Sequence, residues 1–380
     1  MLVTDTIPLS APWFDDVEAD RVRQALAGRI AGDGPFGRKV EARLVEGLGA
    51  GGRVLLTTSC THALELALLS LGIGPGDEVV CPSFTFVSTA NAVLRVGARP
   101  VFAEIEETTL GLDMNDVLRR LSPRTRAVVP VHYAGVAPDM DRLQELARPR
   151  GLRIVEDAAQ GLGAAYRGRA LGTLGDAGCF SFHETKNLTC GEGGALWIPE
   201  GETASRAEAM REKGTNRRAF LRGEVDKYTW VLEGSSYVLS DLLAAVLDAQ
   251  LDKAAEIATR RARVVDRYHA GLSDWASRHG VRLPPAHPDR TPNHHIFYLL
   301  FAEAGDRTAA MARLRAAGVG AVFHYVPLHS APMGRSLHDG WPLPVTDRVA
   351  ETLLRLPLHP LLSEAEVDRV IDQVRRCLDP

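Results

Sequence analysis

Between Arg53 and Phe182, short apolar runs alternate with amphipathic ones, and this alternation restricts the fold more than any other feature of the chain. The runs Arg53–Thr58, Glu78–Pro82, Arg99–Glu104, Arg126–Tyr133, Arg153–Asp157 and Gly178–Phe182 read as strands. Ser59–Leu68, Val87–Val96 and Met140–Arg148 read as helices between them. Strands that are apolar on both faces must be covered on both faces. The pattern therefore predicts an α/β unit with a mostly parallel sheet under two layers of helices. Ligands of such sheets sit beyond the carboxyl ends of the strands. Asp157, Phe84–Phe86 and Ser181–Lys186 all lie at strand ends, so the topology predicts that they converge.

At 380 residues the chain exceeds one small core and implies a large and a smaller domain. The boundary is expected near residue 245: residues 1–245 form the large domain, and 246–380 a linking helix and a smaller α+β domain. A formal net charge of −4 argues against nucleic acid as the partner, because phosphate neutralisation needs a basic face. No basic segment followed by an apolar one opens the chain, and no apolar run reaches membrane-spanning length, so a cytoplasmic location is expected. The five cysteines, Cys60, Cys81, Cys179, Cys190 and Cys377, are scattered without a Cys-x-x-Cys pair, which predicts neither a disulfide framework nor a metal site.

Three motif matches fail on inspection. Ala31–Gly37 reads as a stiff loop, but Arg38-Lys39 follows it where a phosphate-binding P-loop requires Lys-Ser/Thr. Gly161-Leu162-Gly163 begins a dinucleotide fingerprint, yet Tyr166 stands at its third glycine. His183-Glu184-Thr185-Lys186-Asn187 lacks the second histidine of a zinc-protease helix. Further on, Asp15–Ala27 and Ser240–Arg263 read as helices, the latter a bridge between domains. Ile296–Phe301 and Ala321–Tyr325 read as strands, and Arg307–Ala317, Arg348–Leu354 and Glu364–Cys377 as closing helices. The basic, aromatic stretch Arg211–Trp230 reads either as a phosphate and sugar contact or as a solvated loop.

The chemistry centres on Lys186, between a strand end and the turn Gly191–Gly194. A lysine amine held near a carbonyl forms a Schiff base, with an aldehyde substrate or with pyridoxal phosphate. The second case also needs an acid against the ring nitrogen, a flat face over the ring and a phosphate cup. Asp157 can supply the acid, because a carboxylate there keeps the nitrogen protonated, and Phe86 can supply the face. Ser59, Cys60 and Thr61 open a helix whose first N–H groups can seat a phosphate, with Ser181 close to the lysine; ordinary helix capping is the alternative reading.

Taken together, Pro82–Thr89, Pro130–Gly135, Glu156-Asp157-Ala158-Ala159-Gln160, Phe180–Lys186, His324–His329 and Leu356-Pro357-Leu358 resemble the DegT/DnrJ/StrS family of sugar aminotransferases over nearly the whole chain. The resemblance implies a pyridoxal phosphate enzyme of fold type I, with a mostly parallel seven-stranded sheet in its large domain. It further implies a homodimer with shared active sites, acting on nucleotide-linked keto sugars. Within the family, Glu212–Arg217, Asp226–Trp230 and Gly234–Tyr237 are most similar to members that aminate C4 of TDP-4-keto-6-deoxyglucose. The expected partners are thus a TDP-keto sugar and L-glutamate.

Carried over by residue, the resemblance makes Lys186 the Schiff-base lysine, Asp157 the partner of the ring nitrogen, Gln160 a donor to the ring hydroxyl and Phe86 the stacking face. Ser59, Cys60, Thr61 and Ser181 hold the phosphate. His324, His329, Lys213, Arg217 and Tyr228 are the expected substrate contacts. Ser236 is the expected cofactor contact across the dimer, at a position where many relatives carry an asparagine that reaches the partner subunit's phosphate. Three rivals are separable. The family's dehydratases replace the lysine with histidine, a Schiff-base aldolase needs no cofactor, and a regulator would bind cofactor and sugar without transferring an amine.

Overall fold

The computed structural model describes residues 6–378. Seven strands form one sheet in the order Arg53–Thr57, Gly194–Ile198, Ala177–Ser181, Arg153–Asp157, Thr125–Val128, Glu78–Pro82, Arg99–Ala103. Only Gly194–Ile198 runs against its neighbours, and the other pairings are parallel. The expected mostly parallel seven-stranded sheet is therefore present. Its reversed strand, fully buried, went unassigned in the sequence because it follows the glycine-rich turn directly.

The period of two along each strand divides the core. Leu55, Val79, Cys81, Val155, Cys179 and Leu196 pack on one face under the helices Cys60–Ser70 and Val87–Arg95. Val80, Val128 and Ile154 pack on the other with Met140 and Leu143 of the helix Met140–Ala147. Each such fully buried aliphatic side chain contributes about 1.5–3 kcal/mol relative to exposure.

Local departures from the sequence reading have identifiable causes. Pro35 starts a helix, Pro35–Leu48, inside what read as a loop; proline at the first helical turn loses no hydrogen bond there. The strand expected over Arg126–Tyr133 stops at Val128, before Pro130. The bridge helix is two helices: Asp241–Asp252, capped by Ser240, and Ala254–Arg278, divided at Lys253. The first packs Ala244 and Leu247 against Val40 and Leu44 of Pro35–Leu48. The second turns Tyr268, Leu272 and Trp275 into a separate core with Phe297, Leu356 and Val370. The boundary expected at residue 245 falls within Asp241–Asp252, and the change of packing partner comes inside Ala254–Arg278, where Ile257 still packs with the first core and Val264 with the second. Ile7 joins that second core and pairs with Val319.

The second core holds a two-stranded antiparallel sheet, Phe297–Leu300 with Leu353–Leu356. Leu353 and Leu354 read as the end of a helix, but the helix stops at Thr352 because the following leucines bury themselves by pairing with Phe297–Leu300. Among the described residues, Ala321–Tyr325 makes only the single bridge Val322–Arg355 and is not a strand; its His324 and Tyr325 turn instead to line a cavity. Among the described residues, no helix is long and apolar enough to cross a membrane, and no His/Cys/Asp/Glu group could hold a metal ion.

Candidate active site

Just beyond the carboxyl edge of the large sheet lies a cavity of about 490 Å³. Ser59, Cys60, Thr61, Phe86, Asp157, Gln160, Ser181, Lys186 and His324 line it, joined by Thr85, Ser88, Glu192, His295, Tyr325 and Arg355. A larger cleft of about 1080 Å³ runs between the helix Pro35–Leu48 and residues 292–294. It contains neither Lys186 nor Asp157, so chemistry rather than volume identifies the site.

Lys186 follows a turn closed by its own N–H on the His183 carbonyl at 2.9 Å. The residue keeps some surface open, but its amine is enclosed by protein. Desolvation holds that amine below the ordinary lysine range; Asp157 opposes the shift and Arg355 adds to it.

Asp157 ends a central strand, where its carboxylate is fixed from both sides. Thr89 Oγ donates to Oδ2 at 2.7 Å, and the Ala159 N–H donates to Oδ1 at 3.2 Å. Behind it, Glu156 is fully buried against His132 Nε2 at 2.7 Å and accepts the N–H groups of Gly172, Leu174 and Gly175. Gln160 is held by the Ala134 N–H at 2.7 Å and donates to Tyr325 at 3.0 Å, leaving one amide hydrogen free. The Phe84-Thr85-Phe86 run splits in function: Phe84 is core, while Phe86 is 58% exposed at the cavity.

At the other end of the cavity, Ser59 caps the helix Cys60–Ser70 by accepting the His62 N–H at 3.2 Å. The N–H groups of Cys60 and Thr61 are first-turn donors that the helix itself does not satisfy. Burial, with the Asp157 charge behind it, pushes the Cys60 thiol well up, so it stays protonated.

The family model described as DegT/DnrJ/EryC1/StrS aminotransferase matches residues 13–375. The chain belongs to that family. The aminotransferase TlmJ from Streptoalloteichus hindustanus is similar in structure, with a TM-score of 0.90 and 36% identity over 98% of this chain and 99% of that one. The sugar aminotransferase CalS13 from Micromonospora echinospora matches with a TM-score of 0.88 and 30% identity over 97% and 99%. Spr1654 from Streptococcus pneumoniae, in its PLP form, matches with a TM-score of 0.89 and 26% identity over 98% of each chain. This protein is a pyridoxal-phosphate-dependent aminotransferase of fold type I.

The cavity of this aminotransferase fits that cofactor. A lysine amine and a fixed carboxylate share it, and the free helix-start donors supply an anion seat. Gly194 lets the reversed strand lie against that helix start: a Cβ there would come within 2.3 Å of the Ser59 carbonyl carbon and 2.4 Å of the Cys60 nitrogen.

Five expected residues of the aminotransferase are not brought to this cavity. His329 is held by Ser83 at 2.7 Å and by Asp347 at 3.3 Å. Arg217 pairs with Glu212 at 3.0 Å, while Lys213, Tyr228 and Ser236 are exposed on the Arg211–Tyr237 arm. The arm is anchored at its base by Arg211, fully buried against Asp33 and Glu41, with Arg218 on the same pair. Burial alone would raise the Asp33 carboxyl, but the two guanidiniums bring it down to about 2. Sequence reasoning missed Thr89, His295 and Arg355. A lone arginine in Leu353-Leu354-Arg355-Leu356 was the available signal, since a charge on a buried strand needs a reason.

Proposed function

We propose that this enzyme transfers an amino group from L-glutamate to C4 of a TDP-4-keto-6-deoxyhexose, giving TDP-4-amino-4,6-dideoxygalactose and 2-oxoglutarate. The observation that carries the reading is the enclosure of the Lys186 amine in one cavity with the carboxylate of Asp157. The sugar class is supported by the likeness to CalS13, and the C4 position by the similarity of residues 212–237 to TDP-sugar 4-aminotransferases.

When bound, pyridoxal phosphate supplies an electrophilic carbon and a ring that accepts electrons. Lys186 Nζ removes the proton from the donor's α-carbon and later delivers a proton to the sugar's C4; its lowered basicity suits both directions. Asp157 would hold the ring nitrogen, Gln160 would offer its remaining amide hydrogen to the ring hydroxyl, and Phe86 would cover the ring face. Ser59, Cys60, Thr61 and Ser181 would hold the phosphate, while His324 would border the sugar.

The reading includes a homodimer with shared sites. An exposed arm carrying Phe220, Leu221, Tyr228 and Trp230, the last 76% exposed, supports this reading. In it, Lys213, Arg217, Tyr228 and Ser236 serve the partner's cavity.

The test is mass and NMR analysis after incubation with L-glutamate, pyridoxal phosphate and TDP-4-keto-6-deoxyglucose. A C4 amine with galacto couplings is the expected product, and Lys186→Ala abolishes its formation. Retained cofactor without product transfers the reading to another keto sugar. Turnover by Lys186→Ala at the parent rate overturns the role of Lys186.

A further inference from the structure

We infer that Lys186 exchanges its proton with solvent through a passage at its back, where His295 positions a single water. The inference rests on the reading of Lys186 as the proton carrier of amino transfer. Behind the lysine lies a second cavity of about 20 Å³, room for one water. Five of its walls, Ala159, Gln160, Ser181, Lys186 and His295, belong also to the lysine cavity. The other four, Leu162, Asn187, Leu188 and Asn293, belong also to the cleft of about 1080 Å³. Every wall is shared, so the small cavity is the neck between the two larger ones.

The polar groups of this neck are fixed. Asn293 donates to the carbonyls of Gln160 at 2.7 Å and Leu162 at 2.9 Å, which leaves its Oδ1 to accept the His295 N–H at 3.1 Å. Asn187 donates to the Asn293 carbonyl at 2.8 Å, which turns its own Oδ1 to His295 Nδ1 at 2.9 Å. An amide oxygen only accepts, so the ring proton sits on Nδ1 and Nε2 keeps its lone pair. His295 is 6% exposed, and among the described residues no hydrogen bond reaches Nε2. Burial, and then the Lys186 and Arg261 charges, hold the imidazole well below the ordinary histidine range, so the ring is neutral. A free acceptor on a buried ring calls for a donor, and one water supplies it.

That water can accept from the Lys186 ammonium, give one hydrogen to His295 Nε2 and keep the other for the cleft. A proton passes from Nζ to the water oxygen as the water releases a different proton toward the cleft, and the reverse returns a solvent proton to the amine. One N–H and one O–H bond break and are remade, with nothing oxidised or reduced. His295 takes no proton; it holds the water in line. The passage matters because substrates occupy the lysine's other side and displace water there.

The experiment incubates the cofactor-loaded protein with L-glutamate in deuterium oxide. NMR follows deuterium at Cα of the remaining glutamate against the 2-oxoglutarate formed. His295→Leu removes the acceptor, while Leu162→Phe narrows the neck from the cleft side without touching the lysine cavity. The ratio of exchange to 2-oxoglutarate should fall roughly tenfold in His295→Leu, the equivalent of one hydrogen bond, and similarly in Leu162→Phe. Cofactor content in Leu162→Phe should match the parent's. Crystals of the loaded parent should hold one ordered water within hydrogen-bond distance of His295 Nε2, missing from both variants.

An unchanged ratio in either folded variant, a parent neck without that water, or a ring protonated at Nε2 by nitrogen NMR overturns the inference. If the loaded parent leaves L-glutamate untouched, the donor reading fails, and the crystal water and the ring tautomer still decide the passage.

Discussion

Thr89 hands its hydroxyl hydrogen to Asp157 Oδ2 at 2.7 Å, and Thr85 stands 2.8 Å behind it in the same buried line. Because the carboxylate only accepts, the direction of the chain is set: Thr85 donates to Thr89, and Thr89 to Asp157. Thr85 lies inside the Phe84-Thr85-Phe86 segment and Thr89 in the first turn of the helix Val87–Arg95 that follows, so a single local structure orients the carboxylate and presents Phe86. Thr89→Val keeps the shape and removes the donor. Cofactor affinity, measured by absorbance titration, should fall roughly tenfold to a hundredfold, while Thr89→Ser stays near the parent.

Glu156 anchors the same strand end from the opposite face. Its carboxylate meets His132 and three backbone N–H groups with no exposure to water. Glu156→Ala leaves His132 and those donors unpartnered, and breaking a buried pair costs about 3–5 kcal/mol. Urea denaturation should show a loss of that order. Cofactor binding should weaken with it, since Asp157 is the next residue.

Gly194 tests the phosphate end without touching a polar group. A methyl there meets backbone atoms of Ser59 and Cys60 rather than a flexible side-chain tip, so the helix start must move. Overpacking of this kind costs about 1–3 kcal/mol. Gly194→Ala should release cofactor during dialysis that the parent retains, with a melting temperature only a few degrees lower.

How much of this was legible in the sequence depends on the range of the interactions. The sheet was legible because period-two apolar runs report burial directly, and Lys186 and Asp157 because strand ends of such sheets converge. The strand Gly194–Ile198 was hidden, since an antiparallel partner inside a parallel sheet leaves no mark on its own composition. His329 lies within a motif run beside His324 and Tyr325, yet Ser83 and Asp347 draw it away from the cavity. Arg355 could be noticed but not placed, because the cavity wall it joins is assembled from segments far apart in sequence, with His324 Nε2 3.4 Å from its Nη1. The Arg211 anchor was likewise unreadable as basic surface, since its acids lie near the N-terminus.

The enclosed amine of Lys186 makes a prediction about stability as well as catalysis. Its folded pKa is lowered from the ordinary 10.5, so the unfolded chain binds this proton more tightly than the folded one. Between the folded value and 10.5, stability therefore rises with pH; below the folded value, the full penalty of the enclosed charge is present. Partial solvent access reduces the size of the effect but not its sign. In the cofactor-free protein, Lys186→Met should be more stable than the parent at pH 7, and the gap should close as the pH approaches 10.5. Urea midpoints for both proteins at pH 7, 9 and 10 would check this. A gap that stays constant over that range would show that the amine is as free as a surface lysine, and the argument for its role as a proton carrier would lose its electrostatic basis.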